Sequence, residues 1–210
     1  MEYSTIAVRT CIYALGKKLI SLQDELTDLD SRLGDGDLGI SMALGGTALC
    51  ETIESSSAKT LDTLLMQCAS SFNKAAPSTL GTLLSMGMRA VSKKLEGQES
   101  ITAAQLIEIP RILADEIALK GKAKLGDKTI LDALLPYSDA IEAHYAASGN
   151  LRESAIKAAT AAKAGAEATK GMVAHTGRAR WLGERNKEYP DSGAVLCQRI
   201  ADFLGSFRLA

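Results

Sequence analysis

The segment Asp28-Leu-Asp-Ser-Arg-Leu-Gly-Asp-Gly-Asp-Leu-Gly-Ile-Ser41 sets three carboxylates, Asp30, Asp35 and Asp37, within eight residues. Like charges this close repel, and a divalent cation or full exposure to water must relieve the repulsion. Gly34, Gly36 and Gly39 are interleaved with them, so a short loop can curl its oxygens inward and bring backbone N–H groups close to an anion. A loop offering both carboxylates and N–H groups suits a metal-bound phosphate. The spacing excludes an EF-hand, because twelve positions counted from Asp35 end at Gly46 rather than at a Glu. Hard oxygen ligands without a neighbouring His or Cys favour Mg2+ over zinc. The plainer alternative is an Asp/Gly turn with a helix-capping Asp.

Three further loops concentrate glycine and functional side chains: Ala76 to Thr82, Gly121 to Thr129, and Thr176 to Gly193. In the second of these the lysines read as solvated charge, with Asp127 capping the next helix. The last runs Gly177-Arg178-Ala-Arg180-Trp181-Leu-Gly183-Glu184-Arg185 and then Tyr189-Pro-Asp191-Ser192-Gly193. Guanidinium groups beside glycines suit a phosphate, since the planar fork donates while the backbone closes in. Trp181 is expected to anchor this loop, and His144 and His175 to be structural or surface residues. The chain has neither a Walker A sequence nor a Gly-x-Gly-x-x-Gly after a strand, so a nucleotide here needs a different cradle.

Helical periodicity must supply the frame. Val8, Cys11, Ile12, Leu15, Leu19 and Leu22 mark a first apolar face. A second helix runs from Ile40 to about Ser55, with Leu38 to Ser41 as its first turn, whose unpaired N–H groups attract phosphate. Leu61 to Phe72 marks a third, Pro77 a break, and Leu80 to Leu95 a fourth. Thr102 and Gln105 form a capping box ahead of a fifth, which carries Leu106, Ile109, Leu113 and Ile117. A sixth begins at Lys128 and bends at Pro136, the alanine-rich Ser154 to Gly171 is a seventh, and Val195 to Phe207 an eighth. No β alternation is sustained, so the expected fold is all-α, an eight-helix antiparallel up-and-down bundle forming one domain over residues 1–210. In that topology the loops near 35, 78, 125 and 185 follow helices one, three, five and seven and share one end.

With 210 residues, 46% of them hydrophobic, 23% charged, and a formal net charge of −1, the chain carries no electrostatic footprint for nucleic acid or an anionic membrane. Met1 to Thr5 does not resemble a secretory signal, and no apolar run is long enough to span a bilayer. Cys11, Cys50, Cys68 and Cys197 are scattered among apolar neighbours and read as reduced core residues, which points to the cytoplasm.

Several linked segments resemble the nucleotide-binding L subunit of bacterial dihydroxyacetone kinases: Leu29 to Met42, Gly126 to Asp132, Gly165 to Lys170, Gly177-Arg-Ala, Leu182 to Arg185, and Asp191-Ser-Gly-Ala194. They cover almost the whole chain in order. The resemblance implies an eight-helix antiparallel barrel holding ADP or ATP and two Mg2+ ions at one end. It implies that Asp30, Asp35 and Asp37 are Mg2+ ligands and that Leu38, Gly39, Ile40, Ser41, Ser78 and Thr79 lie at the phosphates. Gly121, Ile130, Arg178, Asp191, Ser192 and Gly193 correspond to further nucleotide contacts, with Arg178 also a donor to the transferred group. A separate K subunit would hold the ketose, and a homodimer is possible. The chain departs from the family pattern at Leu38, where the pattern has His, and at Ala75 to Gly81, where it has a Gly-Gly-Ala-Ser-Gly-like stretch. Two alternatives remain beside an ATP-driven kinase: a subunit that keeps ADP as a bound cofactor and receives phosphate from a phosphotransferase-system protein, and a non-catalytic ADP-binding regulator of a transcription factor.

Overall fold

The structure is a computed structural model that describes residues 2–208; the side chains of residues 178, 179 and 182 lie outside the described set. Its helices are α1 (Thr5–Ser21), α2 (Gln23–Ser31), α3 (Leu38–Ser55), α4 (Leu61–Ala75), α5 (Thr79–Lys94), α6 (Ala103–Gly121), α7 (Leu131–Ser148), α8 (Leu151–Ala168) and α9 (Ser192–Ser206). The first expected helix is interrupted at Leu22, whose N–H turns back to the carbonyls of Ile20 and Leu19. Both halves keep the apolar stripe, with Leu19, Leu22 and Leu26 all buried. Counting α1 and α2 as one interrupted helix gives the eight expected segments.

Successive helices pack side by side, and α9 returns to touch α1 and α2, so the packing order closes into a ring. The interior is apolar. Leu26, Met42, Leu64, Phe72 and Leu196 form one cluster, and Leu131, Ala133, Ala166 and Ala194 another. The alanine-rich α8 lies so close to α7 that a Cβ built on Gly165 would fall 2.1 Å from the Asp132 carbonyl oxygen. α6 opens with the expected capping box at Thr102 and Gln105. α7 continues through Pro136 but starts at Leu131 rather than at Lys128.

Two strands correct the expectation of none. β1 (Glu2–Ser4) pairs antiparallel with β2 (Ser100–Thr102), Tyr3 facing Ile101, and both of these side chains are buried. Three-residue strands are too short to show an alternation in sequence. Cys50, Cys68 and Cys197 are buried and unpaired as expected; burial pushes the Cys68 thiol up to about 11 and the Cys197 thiol up to about 12. Among the described residues no helix is long and apolar enough to cross a membrane.

Candidate functional site

The up-and-down order points the N-termini of α3, α5, α7 and α9 toward one end of the bundle. There they border a cleft of about 530 Å3, lined at those helix starts by Asp37 and Leu38, Ser78 and Thr79, Thr129 and Ile130, and Ser192 and Gly193. Each start leaves N–H groups without helical partners and carries the positive end of its dipole. Two are capped by their own side chains. Ser78 Oγ accepts from the Gly81 N–H at 3.1 Å, and Asp191 Oδ1 accepts from the Ala194 N–H at 2.7 Å. The cap residues of α7 and α3, Ile130 and Asp37, make no side-chain cap bond, and at α3 this leaves a carboxylate to the cleft.

Asp30, Asp35 and Asp37 come together there, with one carboxylate oxygen from each lying within 4.8 Å of the other two. Asp30 projects from the last turn of α2 and Asp37 stands at the start of α3. The Asp30 carboxylate joins three elements, because Oδ1 accepts from Ser192 Oγ at 2.8 Å and Oδ2 from the Leu38 N–H at 3.4 Å. Gly39 lets the first turn of α3 lie directly on α2: a Cβ there would fall 2.0 Å from the Gln23 carbonyl oxygen and 2.6 Å from the Thr27 nitrogen.

Of the residues named from sequence, Asp30, Asp35, Asp37, Leu38, Ser78, Thr79, Gly121, Ile130, Asp191, Ser192 and Gly193 all line this cleft. Gly39, Ile40 and Ser41 do not. Gly39 faces α2, Ile40 is half exposed and Ser41 is buried. The side chain of Arg178 lies outside the described residues. Leu80, Leu83, Ile117 and Ala123 give one wall of the cleft an apolar lining.

The loop between α6 and α7 departs from expectation in two ways. Asp127 does not cap α7; its carboxylate accepts from the Lys124 N–H at 2.9 Å and the Lys124 ammonium at 3.0 Å, which holds it below the usual carboxylate range. Asp132 orders the turn instead, accepting from the Gly126 N–H at 2.6 Å and the Thr129 N–H at 2.7 Å. Lys128, expected as solvated charge, is 1% exposed, and its ammonium donates to the carbonyl oxygens of Met172, Asn186 and Tyr189.

Between α8 and α9 the chain crosses the cleft mouth as a flap containing a 3-10 segment, Arg178–Glu188, kinked at Gly183. Thr176, Gly177, Arg180 and Trp181 of the flap line the cleft. Trp181 does not anchor it: the indole is 78% exposed, with the Arg180 guanidinium 4.7 Å from its ring centre. The flap is held at its base. The Asp191 N–H donates to Thr169 Oγ1 at 2.8 Å, the Ala174 N–H to Asn186 Oδ1 at 3.2 Å, and Arg32 stacks over Tyr189. Burial pushes the Asp191 carboxyl up to about 7; the Ala194 N–H and the Lys128 charge oppose the rise, and Asp132 and Asp30 add to it.

The chain is a helical ring with three clustered carboxylates and four helix starts at one mouth. The DAK2 domain model matches residues 32–205, and the chain belongs to that family. It is 31% identical over 182 residues to the L-erythrulose kinase of Pectobacterium atrosepticum, an alignment covering 85% of this chain and 30% of that one. To the ADP-binding subunit DhaL of the PEP-dependent dihydroxyacetone kinase of Escherichia coli it is 27% identical over 170 residues, 81% of each chain. Human triokinase/FMN cyclase is 30% identical over 183 residues, 87% of this chain and 32% of that one. The chain thus spans about a third of the length of several curated relatives it matches. Among solved structures, the dihydroxyacetone kinase of C. freundii superposes with a TM-score of 0.73 at 23% identity, over 96% of this chain and 34% of that one. Its complex with AMP-PNP and Mg2+ gives 0.71 at 22% identity, over 98% of this chain and 34% of that one. The likeness establishes a shared all-helical fold.

Proposed function

We propose that this chain is the nucleotide- and Mg2+-binding subunit of a short-ketose kinase, presenting the phosphoryl group of ATP to a ketose held on a separate K subunit. The observation that carries the proposal is the carboxylate cluster, three oxygens within 4.8 Å of one another, opening into a cleft bordered by four helix starts. Hard oxygens at that separation fit a divalent ion such as Mg2+, and the helix starts fit phosphate. In this assignment Asp30, Asp35 and Asp37 hold two Mg2+ ions. Leu38 with the first turn of α3, together with Ser78 and Thr79, takes the phosphates, and the Asp191-Ser192-Gly193 turn adds further nucleotide contacts. Gly121 and Ile130, beside Leu83 and Ile117, give a base an apolar wall, and Arg178 adds a cation.

Mg2+ held by Asp30, Asp35 and Asp37 would supply positive charge that neutralises the charge developing on the phosphates during transfer. The protein's share is positioning and electrostatics, and no side chain needs to act as a covalent nucleophile. Relatives named as dihydroxyacetone, erythrulose and trio-kinases support transfer to a short ketose. The E. coli relative, an ADP-binding subunit of a PEP-dependent kinase, supports a second reading in which ADP stays bound and a phosphotransferase-system protein supplies the phosphoryl group.

The test is calorimetric titration of the nucleotide-free chain with ADP and with ATP, with and without Mg2+, in the wild type and in Asp35→Asn and Asp37→Asn. Mg2+-dependent binding in the wild type, weakened at least about tenfold in each variant, is the expected result. A wild type that binds neither nucleotide overturns the proposal. Adding a K subunit and a ketose, with ATP in one arm and the PEP-driven system in the other, then separates the two phosphoryl sources.

A further inference from the structure

Lys128 is the one basic residue buried among the described residues, and it is absent from the set of nucleotide and metal contacts assigned above. Its backbone has φ of +60°, a conformation that costs a non-glycine residue energy and that glycine or asparagine would adopt more readily. A lysine therefore stands here for its side chain. An ammonium offers three donors, and here three carbonyl oxygens accept them: Met172 at 3.2 Å, Asn186, and Tyr189 at 2.8 Å. Met172 begins the flap just after α8, while Asn186 and Tyr189 end it just before α9. The single charge thus staples the two stems of the flap to each other and to the loop whose residues Lys128, Thr129 and Ile130 line the cleft. Thr176, Gly177, Arg180 and Trp181 sit on the part of the flap between the stapled stems. Asp191 is the charged group nearest to the ammonium in effect, and it offsets the cost of burying it.

We propose that Lys128 is a positioning residue of the nucleotide site: with its three donors engaged by flap carbonyls, it fixes the flap over the cleft so that the flap's glycine and arginine donors meet a bound phosphate. This rests on the nucleotide-binding reading above. The experiment compares the wild type with Lys128→Met, which keeps most of the side-chain volume but removes the charge and the donors. Asn186→Ala is the second variant; it leaves the ammonium in place and removes the Ala174 tie from the flap side. Three readouts are taken: Mg2+-dependent ADP affinity, the rate of trypsin cleavage after Arg178, Arg180, Arg185 and Lys187, and the fluorescence anisotropy of Trp181, the single tryptophan.

Both variants should retain the helical circular dichroism of the wild type. Cleavage in the flap should be at least about tenfold faster, Trp181 anisotropy lower, and ADP affinity at least about tenfold weaker, with saturating ADP and Mg2+ restoring the anisotropy. Faster cleavage and lower anisotropy with unchanged ADP affinity in either variant overturns the proposal, because the flap would then be loosened without consequence for the site. Unchanged cleavage in Lys128→Met overturns it as well. If Lys128→Met fails to fold, Lys128→Arg, which keeps the charge but cannot place an ammonium's three donors on these carbonyls, decides by the same criteria. Should the wild type bind no nucleotide, the functional reading fails on its own, and cleavage and anisotropy still report whether Lys128 pins the flap.

Discussion

Gly39→Ala adds one methyl group at the point where the two halves of the acidic cluster meet. Asp30 belongs to α2, Asp37 and Leu38 to the start of α3, and the added Cβ would sit 2.0 Å from the Gln23 carbonyl oxygen of α2. Ordinary contact begins near 3.4 Å, so α3 must retreat by about 1.4 Å along that direction. The neighbours of that Cβ include backbone of a packed helix, which cannot rotate aside as a side chain can. Overpacking of this kind costs about 1–3 kcal/mol, and each kcal/mol lowers Tm by about 2–4 °C in a chain of this size. The larger effect is on the site. Mg2+ holds its oxygens at about 2.0–2.1 Å in near-octahedral geometry, so a displacement above 1 Å between Asp30 and Asp37 removes one of them from reach. Mg2+-dependent ADP affinity should fall at least about tenfold. Gly97→Ala is the control. Gly97, unlike the helical Gly39, has positive φ, +72°, but nothing lies within 4 Å of its Cβ position, so the variant should lose about 1 kcal/mol of stability and keep its affinity. Calorimetry and thermal melts on both proteins check this. Wild-type affinity in Gly39→Ala would refute the argument that the α2–α3 contact sets the geometry of the cluster.

Trp181→Ala should change stability by less than about 0.5 kcal/mol in thermal melts, because its indole is already 78% exposed. In the wild type, emission from this single tryptophan should shift as ADP and Mg2+ fill the cleft it borders; an unchanged spectrum at saturation counts against the flap facing the ligand. Asp191 makes a pH signature in metal-free protein. Its folded carboxyl is raised from 3.8 to about 7, so between those values the folded chain holds a proton that the unfolded chain has lost, and stability falls as pH rises through the window. Melts of wild type and Asp191→Asn should therefore diverge, with the wild type losing ground from about pH 4 to 7 and a constant difference above; parallel curves would exclude the shift.

The helices were legible because their apolar positions recur at steps of three and four, and the shared end of four loops followed from counting them. Leu22 hides its break, since it stays in the right-handed helical region and the apolar stripe runs on through Leu26. The aspartates at 30, 35 and 37 carry a local signature in their spacing and interleaved glycines, whereas the cleft residues at 78, 121, 130 and 191 were reached through the family resemblance. Lys128 and Trp181 were misread for the opposite reason. A lysine in a glycine-rich loop and a tryptophan in a glycine- and arginine-rich one have no local pattern that fixes burial. What buries Lys128 is a set of carbonyls 44 to 61 residues away, and what leaves Trp181 outside is that the flap is pinned at its stems by other groups.

Charge at the cleft explains why metal and nucleotide belong in one account. A cation alone meets three carboxylates but also the positive ends of four helices; an anion alone meets those helix ends but also the carboxylates. Each by itself is partly opposed. In the proposed assignment a metal-bound phosphate would present its positive ion to Asp30, Asp35 and Asp37 and its oxygens to the helix starts, so each ligand would cancel the repulsion that the other would meet. The coupling is reciprocal by thermodynamic necessity, the factor by which Mg2+ tightens ADP being the factor by which ADP tightens Mg2+. The net charge of −1 on the chain supplies no long-range attraction for either ligand, which leaves recognition to these groups within the cleft. On the proposed reading the acidic loop and the helix starts are two halves of a single binding event, and the fold that brings alternate connections to one end is what joins them.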